Sequence, residues 1–305
     1  MHKYITHLKR TCNFVLLPVL CAALISGCAA KEKDSEQSDK SSTQQSTSES
    51  KEKDSVVSPA IESVDLSNSF NGINGCAVLF DSQNNQYSFY NQNLCEQEVS
   101  PYSTFKIIST LAGLQNGVIN DETSTMNYNG TQYPIPEWNG DLTLKTAFQA
   151  SCIWYFRQVI DAVSTDEIAN ELNALSYGNC DVSEWNGSGT NPLEELNGFW
   201  LNSSLKISPL EQVQVLSKIF DGKSSYSEEN ITILKEIMLV NETDTQKTYG
   251  KTGSGSNGEA WFVGFYERQG EQTYFAIYLN DSTQKDNISG NTAKEIALKI
   301  IAEES

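Results

Sequence analysis

Histidine is almost missing: His2 and His7 are the only two in 305 residues, and both fall in an N-terminal leader. A chain that sheds this leader keeps no imidazole. That excludes a serine–histidine–aspartate triad and a histidine-ligated zinc site, and no metal is expected. Cations are scarce too. Lys and Arg number 21 against 39 Asp and Glu, a net charge of −18, and loss of the leader removes Lys3, Lys9 and Arg10 as well. So acidic a chain is a poor match for nucleic acid or for electrostatic adhesion to anionic lipid. Long apolar runs are absent. Phe14 to Ile25 is shorter than the ~20 residues that span a bilayer, and nothing later approaches that length.

What remains divides into three parts. Residues 1–28 have the form of a secretory signal: Lys9 and Arg10 close a basic start, and the apolar run follows. The run ends in Leu24-Ile25-Ser26-Gly27-Cys28, which resembles the bacterial lipobox, in which the cysteine is lipidated and becomes the new N-terminus. Ordinary signal cleavage beside an incidental Cys28 is the alternative. Residues 29–60 are almost wholly polar and cannot bury enough surface to offset their ordering entropy, so a disordered tether is expected. These flanks lower the hydrophobic content to 38%. The folded domain is expected over 61–305. Setting leader and anchor aside leaves Cys76, Cys95, Cys152 and Cys180 in an extracytoplasmic chain where disulfides are permitted. Cys76 and Cys95 flank an expected hairpin; a disulfide and two free buried thiols both fit.

Along that domain, Gly75 to Phe80 and Gln86 to Tyr90 are short apolar or aromatic runs about a polar Asp81–Asn85 turn and read as a β-hairpin. A helix carrying Ser103 follows and ends near Gly117. Residues 118–140 form a loop. Short helices are expected over Leu142 to Phe148 and Cys152 to Val163, and a third opens at Ser164-x-x-Glu167. After a second loop at 180–199, Ser208-Pro209-Leu210-Glu211 caps a clear helix, and another spans Glu228 to Leu239. The period then changes to two: strands at Thr248 to Gly253, Ala260 to Glu267 and Thr273 to Leu279, closed by a helix over Asn291 to Ala302. The order predicts an α/β (α+β) fold, with one antiparallel sheet of five to seven strands flanked by helices and a helical region beside it.

Ser103 and Lys106 stand three residues apart at a helix start, on one face. A serine hydroxyl needs a base, and without histidine that base is Lys106 or something made from it. Ser151 opens the next helical block as Ser151-Cys152-Ile153. Tyr177-Gly178-Asn179 follows, then Lys251-Thr252-Gly253-Ser254-Gly255 beside a strand. Ser-x-x-Lys, Ser-x-Ile and Lys-Thr-Gly in this order resemble the penicillin-recognising serine enzymes, β-lactamases and penicillin-binding transpeptidases. Class A β-lactamases carry Ser-Asp-Asn at the second motif and a Glu-x-x-Leu-Asn loop; here Ser151-Cys152-Ile153 and Leu193-Glu194-Glu195-Leu196-Asn197 depart from both. Class D matches better. Ser103-Thr104-Phe105-Lys106-Ile107, Ser151-x-Ile153, Tyr177-Gly178-Asn179, Phe199-Trp200-Leu201, Leu205-Lys206-Ile207-Ser208 and Trp261-Phe262-Val263-Gly264 all resemble its motifs.

The resemblance implies hydrolysis of β-lactams through an acyl-enzyme on Ser103. It implies that Lys106, buried among Phe105, Ile153 and Trp200, reacts with CO2 to become N6-carboxylysine, so that bicarbonate is the only accessory requirement. The carboxylated Lys106 is then the base for acylation and deacylation, with the Trp200 indole donating to it. Lys251 and Thr252, helped by Ser254, hold the substrate carboxylate, Ser151 relays a proton to the leaving nitrogen, and Gly255 supplies the second oxyanion N–H. One departure is the lack of an arginine at the start of the last helix, where Ser289-Gly290-Asn291-Thr292 stands. Trp154, Tyr155 and Phe156 suit the core; Trp261 suits sheet packing and site wall equally. The implied location is the outer face of the cytoplasmic membrane of a gram-positive bacterium, held by lipid on Cys28. A β-lactam sensor domain shares the fold and acylates without turnover. Against it stand the missing membrane helices and Ile153, where sensors and transpeptidases carry Asn. A catalytically dead wall-binding lipoprotein is disfavoured by intact Ser103, Lys106, Ser151 and Lys251.

Overall fold

The computed structural model describes residues 58–303; the leader, Cys28 and nearly all of the polar tether lie outside the described residues. In chain order the elements are β1 (Ala60–Ser63), α1 (Ser67–Phe70), β2 (Gly75–Asp81), β3 (Gln86–Tyr90), α2 (Gln92–Cys95) and α3 (Lys106–Gln115). Then come α4 (Leu144–Gln149), α5 (Ile153–Val163), α6 (Thr165–Leu175), α7 (Pro209–Phe220) and α8 (Glu228–Met238). The chain closes with β4 (Leu239–Glu242), β5 (Gln246–Ser254), β6 (Glu259–Arg268), β7 (Glu271–Asn280) and α9 (Gly290–Glu303).

The strands form one seven-stranded sheet in the order β1-β3-β2-β7-β6-β5-β4. All neighbours are antiparallel except β1 and β3, which run parallel, so the sheet is mixed rather than purely antiparallel. The first and last parts of the chain meet where β2 pairs with β7, Gly75 opposite Leu279 through Asp81 opposite Thr273.

The two-residue period of a strand sends alternate side chains to opposite faces, and β7 shows both faces buried. Tyr274, Ala276 and Tyr278 enter the core shared with α2 to α8, while Phe275, Ile277 and Leu279 enter the core under α1 and α9. The result is three layers, with helices on both faces of the sheet. Trp261 is fully buried in the first of these cores, and its indole donates to the Ser100 carbonyl at 3.0 Å. It packs the sheet and does not line the site.

The helix starts obey their capping chemistry. Ser208 Oγ accepts from Glu211 N and a Glu211 carboxylate oxygen accepts from Ser208 N (3.2 and 2.8 Å), a complete reciprocal box with Pro209 at the first helical position. Ser164 Oγ accepts from Glu167 N at 3.4 Å, half of such a box. Gly117, at φ +67°, follows the Asn116 cap of α3 in the left-handed region that glycine tolerates. Among the described residues no helix is long and apolar enough to cross a membrane.

Candidate active site

Ser103 lies one turn ahead of α3, on the 3₁₀ turn Tyr102–Phe105, rather than within the α-helix the sequence suggests. In a 3₁₀ turn, side chains at i and i+3 eclipse, so Ser103 and Lys106 still meet: Lys106 Nζ donates to Ser103 Oγ at 2.9 Å. Lys106 is 0% exposed. Burial lowers its pKa to about 7, opposed only by the nearby Cys152 thiol. Its surroundings are apolar and aromatic. Nζ sits 5.5 Å from the Phe156 ring centroid, and buried Phe105 packs on Phe199 and Trp200 with centroids 5.2 and 5.7 Å apart. The Trp200 indole nitrogen is buried and has no hydrogen-bond partner. Buried donors are almost always paired, so this indole, packed on Phe105 and Phe199, is an exception.

The turn before the nucleophile is held in an unusual conformation. Tyr102 has φ +48°, uncommon for a bulky residue. Its N–H donates to the Trp200 carbonyl at 3.0 Å and its hydroxyl donates to Glu259 at 2.6 Å. The backbone that presents Ser103 is thus pinned both to the Trp200 segment and to the start of β6.

Ser151 occupies the α4–α5 junction at φ +56°. Lys251 Nζ donates to Ser151 Oγ at 3.0 Å and to the Thr252 carbonyl at 2.9 Å, and lies 5.5 Å from the Phe148 ring centroid. Burial, with repulsion from Lys106, pushes the Lys251 pKa well below the usual lysine range. Lys251 is 4% exposed, its amine lying against Ser151 and Thr252. β5 runs directly beside the nucleophile. A Cβ added at Gly253 would meet the Pro101 carbonyl at 3.2 Å and Ser103 N at 3.4 Å, which explains a glycine there.

One expected donor is misplaced. Gly255 N–H is committed to the Glu259 carbonyl at 2.8 Å, closing the β5–β6 ladder. In an antiparallel pair, alternate residues direct N–H toward and away from the partner. Ser254, opposite Ala260, therefore turns its N–H away from β6. The second oxyanion donor available beside Ser103 is Ser254, not Gly255.

Ser103, Ser151, Ile153, Thr252, Gly253 and Ser254 line one open cleft of about 390 Å³. Its far wall was not anticipated. Ile135 and Trp138 come from the 118–140 loop, Trp138 on the turn Pro136–Trp138, with its indole donating to the Ala150 carbonyl at 2.9 Å. Ile135 is 40% exposed, an apolar residue set between two prolines in a polar loop, and that was the signal available. Ser289, Gly290 and Asn291 complete the rim. A Cβ at Gly290 would lie 2.6 Å from Thr252 Cβ, so the first position of α9 has no room for any side chain, arginine included. Gly290 N–H donates to Ser254 Oγ at 2.8 Å.

The Tyr177-Gly178-Asn179 motif is a support outside the cleft. Tyr177 is buried edge-on to Phe105, and its hydroxyl accepts from Gln212, which also donates to Thr104. Gly178, at φ +51°, lets the chain press on the Lys206 carbonyl, and Asn179 bonds both sides of Lys206. Arg157 fastens the 180–199 loop to α5 through the Trp185 carbonyl, Asn186 and Asp161 at 2.8–2.9 Å, with the Asn197 carbonyl at 3.4 Å. Gly198 then allows Trp200 to fold back, since a Cβ there would lie 2.1 Å from the indole. Among the described residues no His, Cys, Asp and Glu cluster could hold a metal ion.

With this geometry in hand, the sequence matches the penicillin binding protein transpeptidase domain over residues 75–302. It is 35% identical over 231 residues to the regulatory protein BlaR1 of Bacillus licheniformis, covering 74% of this chain but 36% of that protein. The chain thus spans little more than a third of that relative. It is 32% identical over 241 residues to the probable β-lactamase YbxI of Bacillus subtilis strain 168, covering 78% and 86% of the two chains. The crystal structure of a class D β-lactamase from Bacillus subtilis superposes with a TM-score of 0.71 at 32% identity, over 79% of this chain and 95% of that one.

Proposed function

The chain belongs to the penicillin-binding transpeptidase domain family, and from that premise we propose that it is a class D serine β-lactamase. The observation that carries this reading is the 2.9 Å contact between Ser103, on the cleft, and the fully buried Lys106. Ser103 Oγ attacks the lactam carbonyl, and the developing oxyanion lies between the N–H groups of Ser103 and Ser254. Lys106, with its pKa brought to about 7, takes the hydroxyl proton. Ser151, backed by Lys251, passes a proton to the leaving nitrogen. The substrate carboxylate is held by Thr252 and Ser254, with Lys251 behind them. Because Ser254 Oγ already accepts from Gly290, its own proton is free to point into the cleft.

A carbamate on Lys106, formed from CO2, supplies a base that stays anionic near neutral pH. The residues present suit it: a partly neutral buried amine, apolar walls and the waiting Trp200 donor. Ile153 adds an apolar wall where an amide would offer competing polarity. We further propose that residues 1–28 are a lipoprotein signal with Cys28 lipidated, and that 29–60 tether the domain at the outer face of a gram-positive cytoplasmic membrane. The lipobox-like Leu24–Cys28 and the polar composition behind it support this. Incorporation of labelled fatty acid that disappears in Cys28→Ala is the expected result.

The likeness to BlaR1 favours a second reading, a sensor that acylates and stalls. Turnover of a chromogenic cephalosporin, with and without bicarbonate and followed by intact mass, separates the two. Multiple turnovers that rise with bicarbonate and vanish in Ser103→Ala are expected. A single stoichiometric burst with a lasting adduct on Ser103 would leave the sensor.

A further inference from the structure

Two free thiols outside the catalytic machinery are buried in the same core. Cys76 is the second residue of β2 and points, with Val78 and Phe80, into the core beneath the helical layer. Cys95 ends α2 and enters the same core; both residues are 0% exposed. The short α2 turn is fastened on either side of Cys76. Asn91 Nδ2 donates to the Gly75 carbonyl at 3.0 Å, and Cys95 Sγ donates to the Ala77 carbonyl at 3.3 Å. This holds the Cys95 thiol against the backbone of the residue next to Cys76, with both cysteines as free thiols in one core. The other two cysteines are engaged elsewhere. Cys152 is buried at the start of α5, and Cys180 Sγ donates to the Leu172 and Tyr177 carbonyls at 3.4 and 3.5 Å.

We propose that Cys76 and Cys95 are a redox modification site, joined by a disulfide that staples β2 to the segment leading into the nucleophile. In forming it, each thiol gives up a proton, one S–S bond is made, and two electrons pass to a disulfide oxidant. That oxidant is a thiol–disulfide oxidoreductase or a low-molecular-weight disulfide, itself reduced to two thiols. The inference rests on export of the chain, not on its catalytic activity. Attack on the oxidant needs a thiolate. Burial pushes the Cys76 thiol well above its ordinary pKa and leaves no path for an oxidant. The bond therefore forms while the chain folds and not afterwards.

The test is export of the full chain in a gram-positive host, then alkylation of the denatured, unreduced protein and peptide mapping. The expected result is one cross-linked peptide pair containing Cys76 and Cys95, with Cys152 and Cys180 alkylated. Alkylation of Cys76 and Cys95 themselves would overturn the proposal, as would their cross-linking to either other cysteine. A second measurement needs no variant. Protein unfolded, reduced and refolded with oxidised glutathione should melt roughly 6–12 °C above the same protein refolded under reductant. Folded reduced protein given the same oxidant should keep its lower midpoint. Equal midpoints after the two refolding treatments would refute the staple.

Discussion

Replacing Trp200 by Phe separates the packing of its ring from the hydrogen bond its nitrogen offers. The substitution keeps an aromatic ring against Phe105 and Phe199 but removes the indole N–H, which is buried and unpaired. Two opposed terms act on stability. The smaller ring leaves a void of roughly 40 Å³, costing about 1 kcal/mol. Relief of an unsatisfied buried donor returns about 1–3 kcal/mol. The unmodified protein should therefore melt at the same temperature or slightly higher, the reverse of an ordinary core truncation. With Lys106 carboxylated and bonded to the indole as proposed, the balance changes, because a hydrogen bond to a charged acceptor contributes about 1.5–3 kcal/mol. Its loss should raise the bicarbonate concentration for half-maximal activity by roughly 10- to 150-fold. Steady-state hydrolysis across a bicarbonate series gives that number, and ¹³C NMR of the lysine carbamate under labelled CO2 checks it directly. An unchanged bicarbonate requirement together with a lower melting temperature would refute the reasoning and reduce Trp200 to a packing residue.

Other perturbations probe different parts of the site. Lys106 has a folded pKa of about 7, below its unfolded value, so its amine is neutral above that pH and an ammonium below it. Without added bicarbonate, kcat/KM should fall about tenfold per pH unit below 7, and the same limb is expected to weaken when bicarbonate is saturating. Between pH 7 and the unfolded lysine range the folded state binds fewer protons, so denaturant titrations should show stability rising with pH across that window. Ser151→Ala removes one acceptor of Lys251 and should lower kcat by about 10²–10⁴ while the melting temperature stays nearly constant. Gly253→Ala forces a Cβ against the Pro101 carbonyl and Ser103 N; acylation rates should drop with little loss of fold. Arg157→Met leaves the Trp185 and Asn197 carbonyls without their donor, and should both destabilise the protein by about 2–4 kcal/mol and raise the bicarbonate requirement through the loosened Trp200 segment.

The parts of this fold that were legible in the sequence are those where a local signal coincides with the final structure. The β2–β3 hairpin shows an apolar run and an aromatic alternation about a polar turn, α7 its full capping box, and β6 and β7 their apolar runs. The four-residue β1 is wholly exposed, so it carries no alternation, and its parallel pairing with β3 leaves no mark in the sequence. The turns α1 and α2 are too short for a helical period, and β4 follows α8 without a break at Leu239. In the site, Ser103, Lys106, Ser151 and Lys251 were legible because residue type and spacing dictate their chemistry. The oxyanion donor was assigned one residue too far, since strand parity decides which N–H faces the cleft and spacing alone does not reveal it. The Ile135 and Trp138 wall and the Tyr102–Glu259 contact join segments far apart in the chain, so only the fold brings them into view.

Tyr102 has a further consequence. Its backbone N–H holds the carbonyl of Trp200 and its side chain holds the β6 end of the hairpin that offers Ser254. The Trp200 segment, proposed to serve the base, and Ser254, proposed to serve the oxyanion, are therefore not independent modules. They hang from one residue, like two weights on a single beam. A substitution in the β5–β6 turn that tilts the beam to admit a bulkier substrate also shifts Trp200. Any gain in acylation breadth obtained there should carry a matching change in how firmly the base is held, and variants selected for one trait should move in the other.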